Sequence, residues 1–204
     1  PEDMVVTIHC TSGTTGTPFT APLLEPELTA RGIIATGDSA ARQFWAAGLR
    51  PGDILAHMWN LGGAMVGGGN HIIAKGACFP ELFLTIIPCH VGNTEKVLST
   101  MKNVGATAVC CTPSYALYMP EVAKKIGVDL KNDLHIKAIV TGGEPGGASV
   151  PGLRDKLKDL WGADIFDMYG APGVGLDYEC EYHNGFHIQS DGTLIQVVHP
   201  ETKE

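Results

Sequence analysis

The chain has 204 residues, 44% hydrophobic and only 18% charged, so it is long and apolar enough to bury a folded core. Its formal net charge of -8 argues against a nucleic-acid-binding surface. We expect a cytoplasmic protein outside the membrane, because the sequence has no apolar run of membrane-spanning length and no signal-peptide pattern. The six cysteines are scattered and show no disulfide framework, which favours a reducing compartment.

The first predicted element is a strand over the apolar run 4–8, and a loop rich in glycine and hydroxyl side chains follows it at 11–18. The loop reads Thr-Ser-Gly-Thr-Thr-Gly-Thr-Pro. Its glycines let the backbone approach a ligand closely, and its hydroxyls and free N–H groups suit an anion such as a polyphosphate. The spacing excludes the Walker-type phosphate loop, which needs G-x-x-x-x-G-K-[ST]. A flexible polar loop is the alternative interpretation.

Strand-like and helix-like patterns then alternate along the chain. A first helix is expected to begin near Pro26 and to end at Gly48, before a turn over 50–53. Further helices are expected over 62–75, from a cap at Asn93 or Thr94 with an apolar face through Val104, from Pro113 towards Lys125, and after a cap at Ser149. Strands are expected over 54–58, 84–88, 106–111, 135–140 and 164–168. This alternation predicts an α/β fold with a mostly parallel sheet and helical crossovers.

The pattern changes after residue 175. Short strands are expected over 176–180, 186–188 and 193–198, separated by the hairpin-type pairs Asn184-Gly185 and Asp191-Gly192. The sequence therefore predicts an α/β core over 1–175, followed by the start of a small antiparallel β subdomain over 176–204.

Four motifs lie where a predicted strand ends. They are the loop at 11–18, Thr112-Pro113-Ser114-Tyr115, the glycine-rich segment 141–145, and Asp167-Met168-Tyr169-Gly170. Because ligands of open α/β sheets bind beyond the carboxyl ends of the strands, we expect these loops to form one crevice.

The motifs, in this order, resemble those of the adenylate-forming superfamily, and within it the phenylacetate–CoA ligase branch. The loop at 11–18 is similar to that superfamily's T-S-G-T-T-G-x-P phosphate loop. The resemblance to the phenylacetate branch continues through the segments 47–53, 87–95, 112–115, 142–145, 167–170 and 179–188. It covers essentially the whole chain, which looks like the central part of such an enzyme. An N-terminal part and a mobile C-terminal lid domain of the family lie outside it.

The resemblance implies an ATP-dependent acid–CoA ligase. Such an enzyme activates a carboxylic acid, here an aromatic one like phenylacetate or benzoate, through an acyl-adenylate to a CoA thioester. It would use ATP, Mg²⁺ and coenzyme A, and this segment alone would be inactive. Whether a carrier protein replaces coenzyme A as the acceptor is open. So is the oligomeric state, a homodimer being one arrangement.

The resemblance also gives the site residues their roles. The β- and γ-phosphates of ATP would be held by Ser12, Gly13, Thr14, Thr15 and Gly16, of which Thr14 and Thr15 would act in catalysis. The adenine would be lined by Gly143, Glu144 and Pro145, stacked on by Tyr169 and bordered by Asp167, Met168 and Gly170. An acid pocket is expected to be lined by His57, Trp59, His71 and Tyr115.

Two motifs depart from the family pattern. Thr17 and Phe19 occupy the places where a lysine is usual, and Gly173 occupies the place of a Mg²⁺-binding glutamate. Asp177 or Glu179 could replace that glutamate. Losing these charges would weaken stabilisation of the transferring group. The alternative hypothesis is therefore a non-catalytic adenine-nucleotide-binding module. A Rossmann dehydrogenase is disfavoured, because no G-x-G-x-x-G follows the first strand.

Cys180 and His187 flank the predicted turn at 184–185, and thiolate and imidazole both bind Zn²⁺. Two ligands are too few for a closed site, and His183 is a nearby third candidate. Further cysteines beyond residue 204 are implied by the resemblance. We therefore expect a structural zinc in the longer protein, and weak or absent metal binding in this segment. The remaining histidines and cysteines are expected to be core or surface residues.

Overall fold

The computed structural model describes residues 5–10, 20–24, 40–59, 82–89, 92–171, 175–190 and 194–202. Its elements in chain order are β1 (Val5–Cys10), β2 (Thr20–Leu24), α1 (described over 40–46), β3 (Ile54–His57), β4 (Thr85–Pro88), α2 (Thr94–Val104), β5 (Ala108–Cys111), α3 (Pro113–Lys125), β6 (Ala138–Thr141), α4 (Leu153–Trp161), β7 (Asp164–Ala171) and β8 (Gly175–Tyr178). None of the helices described is long and apolar enough to cross a membrane.

Six of the strands form one sheet in the order β4-β3-β5-β6-β7-β8. The first five are parallel to their neighbours, and β8 runs antiparallel to the second half of β7. The helices α2, α3 and α4 are the crossovers that join β4 to β5, β5 to β6 and β6 to β7. The predicted α/β class, with a mostly parallel sheet followed by an antiparallel strand, is confirmed.

The first predicted strand does not belong to this sheet. β1 pairs antiparallel with β2 in a separate two-stranded sheet, and the phosphate-loop motif lies between the two in sequence. No strand was predicted over 20–24, and Pro22, which lacks the N–H that a strand interior usually needs, lies in the middle of β2. The prediction that β1 starts the parallel sheet is therefore wrong. The loop itself lies outside the described residues.

The main sheet is buried on both faces. Residues of β5 alternate between the two cores, with Ala108 and Cys110 on one face and Val109 and Cys111 on the other. The first core is completed by α1 residues such as Phe44, and the second by the crossover helices. Such double burial explains why these strands are continuous apolar runs rather than alternating ones.

Helix α3 contains a proline whose missing N–H is compensated from another helix. Pro120 lies in its interior, so the carbonyl of Ala116 lacks the N–H that residue 120 would normally donate. The indole Nε1 of Trp161, on α4, donates to this carbonyl at 2.9 Å, and Ala116 and Trp161 are both buried. The proline therefore requires a buried hydrogen bond between α3 and α4.

Several predicted helix details need correction. Asn93 is the N-cap of α2 but makes no capping bond with its side chain, and Val104 is 46% exposed instead of facing the core. The N-cap of α4 is Gly152, whereas Ser149 bonds back to Gly146 within the preceding turn. The predicted start of α2 is therefore confirmed, whereas α4 begins three residues later than a cap at Ser149 would place it.

Of the other predicted helix ends, some are confirmed and some lie outside the described residues. Gly48, at φ +82°, follows α1 as expected, and the turn over 50–53 is present. Pro113 begins α3 and Lys125 ends it, as predicted. The expected helix over 62–75, and the start of the one near Pro26, lie outside the described residues.

The predicted β region after residue 175 forms only in part. β8 pairs with β7, and a single bridge joins Tyr178 to His187. The predicted strands over 186–188 and 193–198 are wrong for the residues described, which form no ladder there. Leu194 and Val197 are 87% and 98% exposed, so their apolar side chains have no sheet face to cover. A strand without a pairing partner is not stable by itself.

Candidate functional site

Three of the four strand-end motifs lie at one edge of the main sheet. The segments 112–115, 142–145 and 167–170 follow or end β5, β6 and β7, which are adjacent and parallel. Since the register pairs Cys111 with Thr141 and Thr141 with Asp167, the residues just beyond these positions lie side by side. These three motifs therefore lie side by side, as expected for loops that follow parallel strands, and the loop at 11–18 lies outside the described residues.

Glu144 links two of these motifs. Its carboxylate accepts hydrogen bonds from the backbone N–H and the hydroxyl of Ser114, at 3.1 Å and 2.8 Å. Thr112 is the N-cap of α3 and accepts from the N–H of Tyr115 at 3.2 Å. The exposed Glu144 thus places a negative charge at the positive end of the α3 dipole, which fixes the 142–145 segment over that helix.

The glycines of the 142–145 segment pack against large side chains. A Cβ on Gly142 would overlap Met168, and one on Gly143, whose φ is +76°, would lie 2.9 Å from the Trp59 ring. Gly143 and Tyr169 are each exposed and lie two residues beyond the paired Thr141 and Asp167, on neighbouring strands. Exposed backbone and an exposed aromatic ring are therefore both present at this edge, and each is a surface that a flat heterocycle can pack against.

Asp167 lies below this surface and is bonded to the protein. It is 4% exposed, and its carboxylate accepts from the hydroxyl of Thr141 and from the N–H of Ala148, the latter at 2.6 Å. Its carboxylate therefore holds the turn after Pro145 in place. Any effect of Asp167 on a ligand at this edge would be indirect.

Sequence analysis missed the residues that support Asp167. The buried carboxylate of Glu179 accepts from the backbone N–H of Asp167 at 2.7 Å and is bound at both oxygens by Arg154. Arg154 was not singled out, because a single arginine on an amphipathic helix gives no sequence signal of a buried partner. These donors occupy both oxygens of Glu179 and argue against the suggestion that it replaces the Mg²⁺-binding glutamate. Asp177, the other suggested replacement, is 5% exposed and accepts from the N–H of Gln189.

The residues expected to line an acid pocket lie on opposite faces of the sheet. His57 and Trp59 alternate with Met58 along the strand, so they share one face, whereas Tyr115 packs against the core on the other face. Trp59 donates to the sulfur of Cys110 at 3.2 Å, and the Tyr115 hydroxyl bonds Thr94 at 2.7 Å. The structure therefore does not gather the three into one cluster. The fourth candidate, His71, is outside the described residues.

His57 is buried and electrically neutral. It is 2% exposed, and burial lowers its pKa to about 4. Within the described part of the chain its Nε2 has no hydrogen-bond partner. The Nε2 of this neutral ring can still donate or accept one hydrogen bond, but the imidazole carries no charge at pH 7.

The candidate zinc ligands are not assembled. His187 pairs with Tyr178 across the bridge and stacks on its ring at 5.5 Å, while His183 bonds Arg154 and Asp164. Cys180 is a half-buried free thiol. Among the described residues no group of three or more potential ligands could hold a metal ion. The zinc site therefore stays a prediction for the longer protein.

The three buried cysteines for which the structure describes the side chain, Cys89, Cys110 and Cys111, are not suited to act as nucleophiles. Burial raises the pKa of Cys110 to about 12 and that of Cys89 to about 11, and it raises the pKa of Cys111 further above the ordinary range. Since the thiolate is the reactive form, these side chains are inert at neutral pH. The described edge therefore offers hydrogen-bond donors, bare backbone and an exposed aromatic ring, but no activated thiol.

Known proteins share both the sequence and this architecture. The chain is 30% identical over 205 residues to the phenylacetate–coenzyme A ligase of Thermus thermophilus, and 30% identical over 208 residues to that of Pseudomonas putida. Each match covers 100% of this chain and 44% of the relative, so the chain spans less than half the length of these relatives. No family model matches the chain.

Solved structures agree with these matches. A 2-hydroxyisobutyryl-CoA ligase in complex with 2-HIB-AMP and CoA aligns at a TM-score of 0.73 and 26% identity, over 89% of this chain and 37% of its own. MatB from Rhodopseudomonas palustris aligns at a TM-score of 0.59 and 15% identity, over 92% of this chain and 33% of its own. The second likeness concerns the fold alone.

Proposed function

The chain belongs to the adenylate-forming superfamily, where it is similar to part of the phenylacetate–coenzyme A ligases, and from this we propose that the protein containing it is an ATP-dependent acid–coenzyme A ligase. The acid's carboxylate oxygen would attack the α-phosphorus of ATP and release pyrophosphate. The thiol of coenzyme A would then displace AMP and form the thioester. The observation that carries the proposal is the meeting of three family motifs at one edge of the sheet.

The edge residues fit an adenine ring. Gly143 and Pro145 present exposed backbone, and Tyr169, 60% exposed, offers its ring to a stacked base. Glu144 is exposed as well, but its oxygens already bond Ser114, so it would border the base while holding the segment in place. The residues from Ser12 to Gly16 would hold the β- and γ-phosphates, with Thr14 and Thr15 placed at the reacting end. Catalysis would rest on positioning and on fixed donors.

The described residues do not supply the expected Mg²⁺ carboxylate. Gly173 takes its place in sequence, and the nearby Glu179 is occupied by Arg154 and by the N–H of Asp167. Mg²⁺ would neutralise charge on the phosphates when bound, but we assign no residue of this segment to it. This shortage supports a second candidate function, an adenine-nucleotide-binding module without ligase turnover.

An aromatic acid is the finer proposal for the substrate. It rests on the names of the relatives and on Trp59, whose ring lies against Gly143 and would present a flat apolar wall. His57, on the same face of the sheet, could offer one hydrogen bond from its neutral ring. The protein would act in the cytoplasm on small molecules, without nucleic acid or membrane, and a homodimer is compatible with this. The α/β core over 1–175 and the β subdomain from 176 would form one enzyme with the lid.

Exchange of labelled pyrophosphate into ATP tests the ligase proposal. In the full-length protein we expect exchange that requires a carboxylic acid, strongest with phenylacetate or benzoate. A folded protein that shows no exchange with any acid, yet binds AMP in a calorimetric titration without Mg²⁺, would support the binding-module hypothesis instead.

A structural zinc is proposed for the longer protein, with Cys180 as one ligand and His187 as a second that must leave its stack on Tyr178. Cys180→Ser should then lower the melting temperature of the full-length protein while leaving its preference among acids unchanged. Elemental analysis of the purified protein provides the direct check, and finding no zinc would contradict the proposal.

A further inference from the structure

A buried ion pair joins the last crossover helix to Glu179, the residue that follows β8. Arg154 of α4 bonds the two carboxylate oxygens of Glu179 at 2.8 Å and 2.9 Å, and the side chains are 15% and 1% exposed. The guanidinium also donates to the carbonyl of Ile165 in β7. Both bonds come from the Nη2 nitrogen, while Nη1 bonds Ile165 and His183, so the guanidinium is held by partners on two sides and in turn holds the Glu179 carboxylate.

Glu179 in turn holds Asp167 in position through two hydrogen bonds. Its Oε2 accepts from the N–H of Asp167 at 2.7 Å, and its own N–H donates to the carbonyl of Asp167 at 3.0 Å. The Asp167 side chain in turn bonds Thr141 and the N–H of Ala148. One connected chain of bonds therefore runs from Arg154 to both ends of the 142–147 segment, and through β7 to Tyr169.

His183 completes the arrangement from the turn after β8. Its φ of +48° is uncommon for a residue with a Cβ, and its ring lies 2.9 Å from an Arg154 nitrogen and 5.1 Å, centroid to centroid, from the ring of Phe166. Its other ring nitrogen faces Asp164. Since such a backbone conformation persists only where the surroundings determine it, this turn is held by the network.

Stability alone does not account for such a pair. Replacing a buried ion pair by apolar side chains of similar volume is often neutral or stabilising, whereas removing one partner is strongly destabilising. The pair must therefore be judged by what it positions, which is the two segments that carry Gly143 and Tyr169.

We propose that Arg154 and Glu179 are positioning residues for the nucleotide, which set the spacing between the 142–147 segment and Tyr169 through Asp167. The inference rests on the proposed function insofar as it requires an adenine nucleotide at this edge. Neither side chain touches the nucleotide. Their loss should weaken nucleotide binding more than binding of the acid.

Four variants of the full-length protein test this: Glu179→Gln, Arg154→Met, the double variant Arg154→Met/Glu179→Leu, and the control Lys158→Met. The control breaks an ion pair from the same helix, between Lys158 and Asp164, that lies at the surface. For each we would measure the AMP dissociation constant by calorimetry, the KM values for ATP and acid, and the melting temperature.

We expect the AMP dissociation constant and the KM for ATP to rise about tenfold in the first three variants, with the KM for the acid changed less than about twofold. The double variant should recover melting temperature relative to Arg154→Met without recovering AMP affinity. The control should match the wild type in AMP affinity. A role in stability alone would make AMP affinity and melting temperature recover together in the double variant, and that result would overturn the inference, as would AMP affinities within about twofold of the wild type.

The outcomes separate the two proposals. A wild-type protein that binds AMP but performs no pyrophosphate exchange refutes the ligase proposal and leaves the AMP comparison decisive for Arg154 and Glu179. A wild-type protein that exchanges pyrophosphate, with variants that bind AMP normally, refutes only the positioning role. A folded wild-type protein that binds neither ATP nor AMP refutes both.

Discussion

At the scale of single residues, the tightest packing near the candidate site is that of Gly146 against Asp167. A methyl group on Gly146 would overlap the Asp167 carboxylate, which is pinned by Thr141 and Ala148 and has no room to move. We therefore expect Gly146→Ala to destabilise the protein by about 2–3 kcal/mol in urea unfolding. Gly127→Ala is the matched control, since that glycine has φ +70° but open space around it, so only the backbone term of about 1 kcal/mol should appear. Equal losses in the two variants would contradict the steric argument.

Asp53 is a carboxylate whose ionised form the fold stabilises. Burial alone would raise its pKa, but hydrogen bonds from Lys137, from the N–H of Arg50 and from Thr107, together with the Lys137 charge, outweigh burial and hold the pKa below its ordinary value of 3.8. A depressed carboxylate pKa adds stability that is fully present above the unfolded value and is lost as the pH falls through the folded value.

Asp53→Asn should therefore cost about 1–3 kcal/mol at pH 7, and the difference from the wild type should shrink as the pH falls below about 4. Denaturant titrations between pH 3 and pH 8 measure this. Glu121→Gln, a change at an exposed carboxylate, serves as control and should leave the curve unchanged. A difference that is constant across this pH range would show that charge is not the cause.

His57 should affect the dependence of the unfolding free energy on pH over a higher pH range than Asp53 does. Its folded pKa of about 4 lies below the unfolded value of 6.5, so the unfolded chain binds a proton that the folded chain excludes. Stability is then full above pH 6.5 and falls by up to about 3 kcal/mol as the pH approaches 4. His57→Phe should flatten the curve between these two values, and an unchanged slope would mean that the ring is solvated in solution.

At the scale of elements, α3 and α4 depend on each other through Pro120. Trp161→Phe leaves the buried carbonyl of Ala116 without a donor, which should cost about 1–3 kcal/mol in addition to lost packing. Pro120→Ala restores an N–H at the position from which the helix itself would donate. We expect Trp161→Phe to be less costly in the Pro120→Ala background, by about 1 kcal/mol or more in a double-mutant cycle.

Pro113→Ala provides the control for this cycle. Pro113 is at the first position of α3, where an N–H would have no partner within the helix, so this substitution should not couple to Trp161. Coupling of equal size at both prolines would indicate a general loosening of α3 and would contradict the specific exchange of donors.

Elements with a strong local pattern could be predicted from the sequence, and their pairing could not. β3, β5 and α3 lie where apolar runs and Pro113 placed them, because burial on both faces leaves an unbroken apolar run. The pairing of β1 with β2 was missed, since a proline in the middle of β2 hides the strand. The predicted strand over 193–198 failed for the opposite reason. Its apolar pattern is favourable, but no partner is present among the described residues.

At the scale of the whole molecule, the candidate site was predictable only in its outline. Parallel strands order their loops along one edge, so the meeting of 112–115, 142–145 and 167–170 followed from topology. Arg154, which supports that edge from behind, is bonded to Glu179, 25 residues further along the chain. A pair so far apart in sequence produces no periodic pattern from which it could be predicted. Trp59 and Tyr115 lie on opposite faces of the sheet. This placement depends on tertiary packing as well, so it could not be predicted from the sequence.

The rate at which the cysteine thiols are labelled measures how readily the main sheet opens. Cys110 and Cys111 are buried on opposite faces of a strand with neighbours on both sides, whereas Cys180 is partly exposed. With a thiol reagent and peptide mapping, we expect Cys180 to react before the β5 pair, which should react only as the sheet unfolds. Added urea should accelerate labelling of Cys110 and Cys111 together. Rapid labelling of either one in native buffer would contradict the described burial.

The neighbouring placement of β5, β6 and β7 has a consequence for the order of folding. These strands are adjacent in the sheet and successive in the chain, each joined to the next by a single helix, whereas β3 must find β5 across the intervening β4 and α2. Short loops close at lower entropic cost, so the segment 106–171 is where a nucleus forms with the least delay. During synthesis it would gain structure as soon as α4 and β7 have left the ribosome. β3 and β4 would dock onto a β5 surface that is already in place.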